Sequence, residues 1–239
     1  MSNNTFGFVI INKPSGPTTP KIRQGGYTSH DVIDKLRKIT GIKKIGHAGT
    51  LDPFATGVLI CAIGREATRE INKFVKMDKE YEAEIKLGAV SDTYDRTGTI
   101  TNYKLRITNY ELDDIKKVIS CFAGKQKQVP PMYSAKKVGG KRLYQLARAG
   151  KEIKRQPTEI QIYSLELLKY KWPFLKIKVK CSSGTYIRSL AHDIGQKLGS
   201  GAYLEELKRT AIGDFNIKQA VDLKNLNKDN WSDFIFLFK

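Results

Sequence analysis

The 239-residue sequence predicts an α+β fold built on a mixed, largely antiparallel sheet. Two stretches carry the strand expectation. Tyr81, Ala83, Ile85 and Leu87 alternate with charged residues, and Leu175, Ile177, Val179 and Cys181 repeat the pattern, as strands with one wet face do. Other stretches space their apolar residues for helices. The two patterns follow one another irregularly rather than in strict β-α-β alternation, which favours a mixed or antiparallel sheet over a doubly wound parallel one.

In order along the chain, Phe6–Asn12 reads as a buried strand that Lys13-Pro-Ser-Gly16 ends in a turn. Pro17–Tyr27 is rich in proline and glycine and is expected to be a loop. Thr28 or Ser29 can cap a helix reaching about Thr40, with Val32, Ile33, Leu36 and Ile39 on one side and Gly41 as its stop. Val58–Ile63 reads as a strand, and Glu66–Val75 as a helix with an acidic start. A second amphipathic helix carries Leu112, Ile115, Val118, Ile119 and Phe122 and stops at Gly124. Thr185–Leu198 reads as a helix, with Gly195 a candidate break and Gly199 its close. No internal repeat interrupts the pattern, so one domain over 1–239 is expected.

The charge is lopsided: 42 Lys+Arg against 24 Asp+Glu leaves +18, with a pI near 9.7. Such an excess favours a polyanionic partner, foremost nucleic acid, through phosphate contacts and counterion release. Anionic lipid is the weaker choice because no basic amphipathic helix stands out. No apolar run approaches the roughly 18–20 residues of a membrane span. Met-Ser-Asn-Asn-Thr at the start lacks the features of a signal peptide, so a cytoplasmic protein is expected. Cys61, Cys121 and Cys181 lie far apart in apolar contexts, and only His30, His47 and His192 accompany them. Neither a disulfide framework nor a metal site is expected. Residues 124–155 hold ten Lys/Arg and one acid, Glu152, with Tyr133 and Tyr144 interspersed, a composition suited to tracking and stacking on RNA.

One position stands apart. Between Ile45 and Gly64 the only formal charge is Asp52, followed directly by the apolar run Val58–Ile63. A carboxylate taken out of water costs several kcal/mol, about, unless it is paired or protonated. Pro53 biases Asp52 towards extended backbone, and Gly46, Gly49 and Gly57 permit tight turns on either side. Capping of the loop's own amides is the plain structural alternative. Arg188, the only charge between Lys180 and His192, is likewise isolated, and a bidentate pair with Asp52 would satisfy both groups.

Four blocks give these residues a family likeness: Lys13-Pro-Ser-Gly16, Gly46-His-Ala-Gly-Thr-Leu-Asp-Pro53, Lys79-Glu-Tyr81 and Gly184-Thr-Tyr-Ile-Arg188. Pro130-Pro-Met-Tyr-Ser-Ala-Lys136 and Leu207-Lys-Arg-Thr-Ala-Ile-Gly213 support them. In this order and spacing, over about residues 6–215, the chain resembles the TruB family of tRNA pseudouridine synthases, which isomerise the T-arm uridine at position 55. The resemblance implies the pseudouridine-synthase fold, tRNA as partner and no cofactor. It implies that Asp52 is the essential aspartate, attacking ribose C1′ or assisting a glycal-like route. Tyr81 would stack on the flipped uracil and is a candidate for removing its C5 proton, and Arg188 would pair with Asp52. Leu207 would support the site through apolar contact, His47 would brace the space left by the extruded base, and Lys13 would support the catalytic loop. Asp95 resembles a family acidic residue near the site.

Two departures from the family pattern shape the expectations. Pro17–Tyr27 adds about ten residues after the first motif, read as an atypical insertion. No complete C-terminal PUA-type domain is expected after the last shared block, which would shift tRNA affinity onto residues 124–155. A monomeric enzyme on naked tRNA is expected. A tRNA-folding role, alone or beside catalysis, and the catalytic subunit of a guide-RNA particle are the rival readings.

Overall fold

A computed structural model describes residues 6–16, 27–102, 110–134 and 136–238. The expected insertion therefore lies outside the described residues except for Tyr27. The chain divides into two compact units, residues 1–81 with 207–239, and residues 82–206. The first unit opens with β1 (Gly7–Lys13), α1 (Ser29–Thr40), β2 (Ile45–His47), β3 (Thr56–Ile63) and α2 (Arg65–Lys76), and β4 (Lys79–Leu87) begins in it. The second holds the rest of β4, β5 (Ala89–Ser91), β6 (Ile100–Asn102), α3 (Leu112–Ser120), β7 (Gly124–Gln128), β8 (Lys137–Val138) and β9 (Lys141–Arg142). It continues with α4 (Leu143–Arg148), β10 (Thr158–Lys171), β11 (Phe174–Cys181) and α5 (Ile187–Leu198). Then β12 (Ala202–Ile212) returns the chain to the first unit, which closes with β13 (Phe215–Asn216) and β14 (Val221–Asp222).

In the first unit the strand order is β14-β1-β3-β12, with β2 beside β3 and β13 beside β12. β1 runs antiparallel to β3 from Gly7↔Ile63 to Lys13↔Gly57. β12 joins β3 in parallel at Lys208↔Thr56 and Arg209↔Gly57, so the sheet is mixed, as the irregular pattern predicts. Alternate residues of β1 and β3 enter different cores. Val9, Ile11, Leu59, Cys61 and Ile63 pack with Val32, Ile33 and Leu36 of α1. Phe8, Ile10, Val58, Ile60 and Ala62 pack with Ala67 and Phe74 of α2. Burial on both faces explains why Val58–Ile63 is a continuous apolar run instead of an alternating one. α1 starts on a capping box between Thr28 and Asp31 and ends at Gly41, whose φ of 73° is left-handed.

In the second unit β4 neighbours β11, followed by β10 and β7. Burial alternates strictly along β4, with Glu82, Glu84 and Lys86 on its wetter face. α3 packs on α5 and β10, burying Ile115 and Ile119. Leu112, expected in that apolar stripe, is instead 46% exposed, because it opens the helix at its outer end. α5 runs unbroken through Gly195, contrary to the expected break. A Cβ there would come 2.3 Å from both the Cβ and the backbone N of Ala202, so the glycine serves close approach of the following strand. Cys121 is exposed rather than in an apolar setting, whereas Cys61 and Cys181 are buried. Among the described residues no helix is long and apolar enough to cross a membrane.

Candidate active site

Asp52 lies in the loop between β2 and β3, and the loop's carbonyls are bound almost one by one. Arg209 donates to Gly49 O at 3.0 Å, and the Ser29 hydroxyl donates to Leu51 O at 3.2 Å while accepting from Leu51 N–H at 3.0 Å. Ala55 N–H donates to Asp52 O at 3.0 Å, and Gly16 N–H to Pro53 O at 2.5 Å. The Ser15 hydroxyl reaches Phe54 O at 3.1 Å. Lys13 Nζ donates to Pro53 O at 3.1 Å and Ala55 O at 2.7 Å, with a third bond to Pro14 O at 2.8 Å. A loop whose backbone groups are satisfied by side chains from three other segments cannot relax into helix or sheet, and its one carboxylate is held in place. Leu51, Phe54 and Ala55 are buried, while Asp52 itself stays half-buried between them and exposed Pro53.

Gly16 and Gly57 make this packing possible. A Cβ at Gly16 would stand 2.6 Å from Pro53 O, and one at Gly57, where φ is 99°, would stand 2.2 Å from Arg209 O. The Lys-Pro-Ser-Gly motif is therefore a brace for the Asp52 loop: its lysine, serine and glycine all bond to it. Lys13 is fully buried, and desolvation lowers its pKa to about 8, against the raising influence of the Asp52 carboxylate and with a further lowering by the Arg209 guanidinium. His47, on β2, is pushed down to about 4 by burial, then by His30 and Arg209, so it is neutral at physiological pH. Its ring stands 6.2 Å from that of His30, edge-on.

Arg209 is the residue that sequence reasoning passed over. It is among the largest fully buried side chains, and its Nε donates to Val58 O at 2.7 Å in addition to the bond to Gly49. A signal for it lies in Leu207-Lys-Arg-Thr-Ala-Ile-Gly213, where two adjacent cations in an apolar strand cannot both face water. On β12, Lys208 is exposed and Arg209 points inward; Leu207 is buried, and its carbonyl accepts from the Thr56 hydroxyl at 3.5 Å. Tyr81 is buried on the inward face of β4, while the neighbouring Glu80 accepts from the Thr210 hydroxyl at 2.7 Å. Lys79 is buried and donates to the carbonyls of Phe74, Val75 and Met77, closing the end of α2.

The second unit builds a different setting around Arg188, at the start of α5. Its guanidinium bonds to Asp95 Oδ2 at 3.2 Å, Thr93 O at 3.2 Å and Tyr133 O at 2.8 Å, and both members of the ion pair are buried. Asp95, singled out from sequence as a family acidic residue, also accepts from Thr93 Oγ1 at 2.8 Å, Thr97 N–H at 2.9 Å and Thr97 Oγ1 at 2.5 Å. Tyr94 adopts a left-handed φ of 63° and stacks on His192 with ring centroids 4.1 Å apart. The root of the basic segment is tied to the same helix start. Gln128 exchanges hydrogen bonds with the Tyr186 backbone at 2.8 and 3.0 Å, and Ser189 donates to Val129 O at 3.0 Å. Residues 124–155 thus grow out of α5's first turn through β7, the β8–β9 hairpin and α4.

The model of the "TruB family pseudouridylate synthase (N terminal domain)" matches residues 37–187, and that of the "tRNA pseudouridylate synthase B C-terminal domain" matches 188–233. The chain is 48% identical over 216 residues to tRNA pseudouridine synthase B of Protochlamydia amoebophila, covering 90% of this chain and 78% of the relative. It is 48% identical over 210 residues to the Clostridium novyi protein of the same name, covering 88% and 72%. Among solved structures it is similar to a chain of a Cbf5-Nop10-Gar1 complex, with a TM-score of 0.70 and 31% identity over 93% of this chain and 54% of that one. A second match, in an H/ACA RNP bound to a substrate RNA containing 2'-deoxyuridine, has a TM-score of 0.67 and 29% identity over 93% and 52%. The chain spans about half the length of those two structural relatives. It belongs to the TruB family of pseudouridylate synthases.

Proposed function

We propose that this protein isomerises uridine to pseudouridine in tRNA, at the T-loop uridine, with Asp52 as the essential carboxylate. The observation that carries the reading is the Asp52 loop, braced by Lys13, Ser15, Ser29 and Arg209 so that one acid is presented with little freedom. Curated relatives 44–48% identical over most of the chain bear the name tRNA pseudouridine synthase B, which supports tRNA as substrate.

The reaction breaks the bond from uracil N1 to C1′ and forms one from C5 to C1′, with loss of the C5 proton and protonation of N1. Nothing is oxidised or reduced. Asp52 attacks C1′ or assists departure of the base, and the freed uracil turns before it reattaches. A base in a folded loop has to be extruded first, at a cost of a few kcal/mol, about, in stacking and pairing. Tyr81 gives the extruded ring a stacking partner, Leu207 an apolar wall, and neutral His47 a brace for the vacated space. Arg188, with its guanidinium already oriented by Asp95, pairs with Asp52 and keeps it ionised. Lys13 holds the loop. The +18 charge draws the tRNA backbone in, and the basic segment 124–155 contributes to its binding. The enzyme acts as a cytoplasmic monomer.

Release of tritium from C5-labelled T-arm RNA tests this reading. Wild type should release it without guide RNA or protein partner, and Asp52→Asn should not; a silent wild type, or an active Asp52→Asn, sinks the proposal. Dependence on a guide would instead favour a particle subunit, although identity to the matched chain of the Cbf5-Nop10-Gar1 complex, 31%, is well below that to the curated tRNA enzymes.

A further inference from the structure

In the second unit, a cavity of about 340 Å³ opens beside the tip of the β10–β11 hairpin, lined by Glu84, Lys169, Lys171, Trp172, Phe174 and Lys176. All six lie within residues 82–206, so the cavity shares no residue with the Asp52 loop. Its walls are held from behind. The Trp172 ring lies 6.0 Å from that of Tyr110, whose hydroxyl donates to Leu198 O at 3.0 Å and whose backbone N–H bonds to the Tyr170 hydroxyl at 3.2 Å. Leu87 N–H donates to Pro173 O at 2.8 Å, tying the hairpin tip to β4. Phe174 is 39% exposed and has Lys86 Nζ at 5.9 Å from its centroid.

Two chemistries converge here that ordinary surface does not combine. Trp172, one of only two tryptophans in the chain, and Phe174 present apolar ring area that water solvates poorly. Three lysines surround them against Glu84; Lys176 also lies 3.5 Å from Glu82. From the cavity a row of lysines continues along β11, where Lys176, Lys178 and Lys180 occupy alternate positions on the face away from buried Leu175, Ile177 and Val179, with Glu166 of β10 opposite Lys178. At a strand's rise their Cα atoms recur every ~6.6 Å. Flat apolar walls suit the π-face of a base, and lysines on flexible stems suit phosphates without demanding a sequence. An acidic peptide would satisfy the lysines but not the rings.

We propose that this cavity is a second RNA site that seats one unpaired nucleotide of the bound tRNA, its base against Trp172 and Phe174 and its backbone on Lys169, Lys171 and the β11 lysines. The proposal rests on tRNA being the substrate. Its test uses the full-length chain with a tRNA transcript, a T-arm hairpin, a 12-nucleotide oligouridylate and UMP. The double variant Lys169→Gln/Lys171→Gln should weaken tRNA binding on the order of tenfold and flatten the slope of log K against log salt by ~1.4, two single-strand phosphate contacts. Its kcat on the saturating T-arm hairpin should equal that of wild type. In a Trp231→Phe background, where emission comes from Trp172 alone, oligouridylate should quench fluorescence. Unchanged tRNA affinity and salt slope, or no quenching, overturns the proposal. Quenching by UMP as tight as by the oligomer also overturns it, since the site would then take a free mononucleotide. Tritium release from the T-arm hairpin is measured alongside: its absence in wild type defeats the isomerase reading, while quenching and salt slope still decide the RNA site.

Discussion

The two units satisfy buried cations differently, by carbonyls in one and by carbonyls with a carboxylate in the other. In the first, Lys13 and Arg209 are buried and donate to backbone carbonyls of the Asp52 loop and its flanks. In the second, buried Arg188 has a buried carboxylate, Asp95, at 3.2 Å. The difference has a physical logic. Carbonyl acceptors leave a cation's charge uncompensated, so its field reaches the neighbourhood; Asp52 and Lys13 feel one another. An ion pair gains rigidity instead, which suits a residue whose guanidinium must be aimed. The first unit thus surrounds a carboxylate with positive potential, and the second fixes the orientation of an arginine.

The largest test of this contrast is Asp95→Ala. Leaving Arg188 buried without that carboxylate should cost about 3–5 kcal/mol of stability by thermal or urea denaturation, and adding Arg188→Met should return most of it. If the single variant is as stable as wild type, the pair is not what holds that loop. Next comes Arg209→Met, which keeps the apolar stem but strips the carbonyls of Gly49 and Val58 of a donor. A loss of about 2–3 kcal/mol is expected, with kcat on T-arm RNA falling more than KM rises, because the loop that presents Asp52 loosens. A pure KM effect would refute that.

Lys13 makes the contrast pH-dependent, since a lysine can lose its proton and an arginine cannot. Its folded pKa of about 8 lies below the ordinary 10.5. Between those values the unfolded chain binds more protons, so the Lys13 contribution to stability rises with pH across that window while the charged brace is lost. The expected outcome is kcat declining above about pH 8 with no matching fall in Tm, and Lys13→Gln, which does not titrate, lacking that limb. A flat wild-type profile to pH 9.5, roughly, would count against it. The smallest effect expected is Thr28→Ala. It removes the capping box that starts α1 beside Ser29, at about 1 kcal/mol of stability and little change in kcat.

Much of the fold was legible because its signals are local. Helix α1 was readable from Thr28 to Gly41, since a capping residue, an apolar stripe and a left-handed glycine all lie within one short segment. β10 was not readable. Its register shifts between Ile162 and Ser164 and again between Leu167 and Lys169, and each bulge breaks the period-2 pattern that would have marked it. β12 was hidden for another reason: its residues serve both units, so no single alternation runs through Ala202–Ile212.

The candidate site divides along the same line. By itself, the sequence determined which groups are chemically conspicuous: Asp52 alone in a charge-free stretch, Arg188 alone on an apolar helix start, and a large basic excess. Isolation of charge is a property of neighbours in the chain, and it survives without coordinates. Only the tertiary structure decided how buried cations are satisfied. Arg188 meets Asp95 across 93 positions, and Arg209 meets Gly49 across 160. Hydrogen-bond partners so distant in sequence are brought together by sheet register and loop closure, and no local periodicity encodes them.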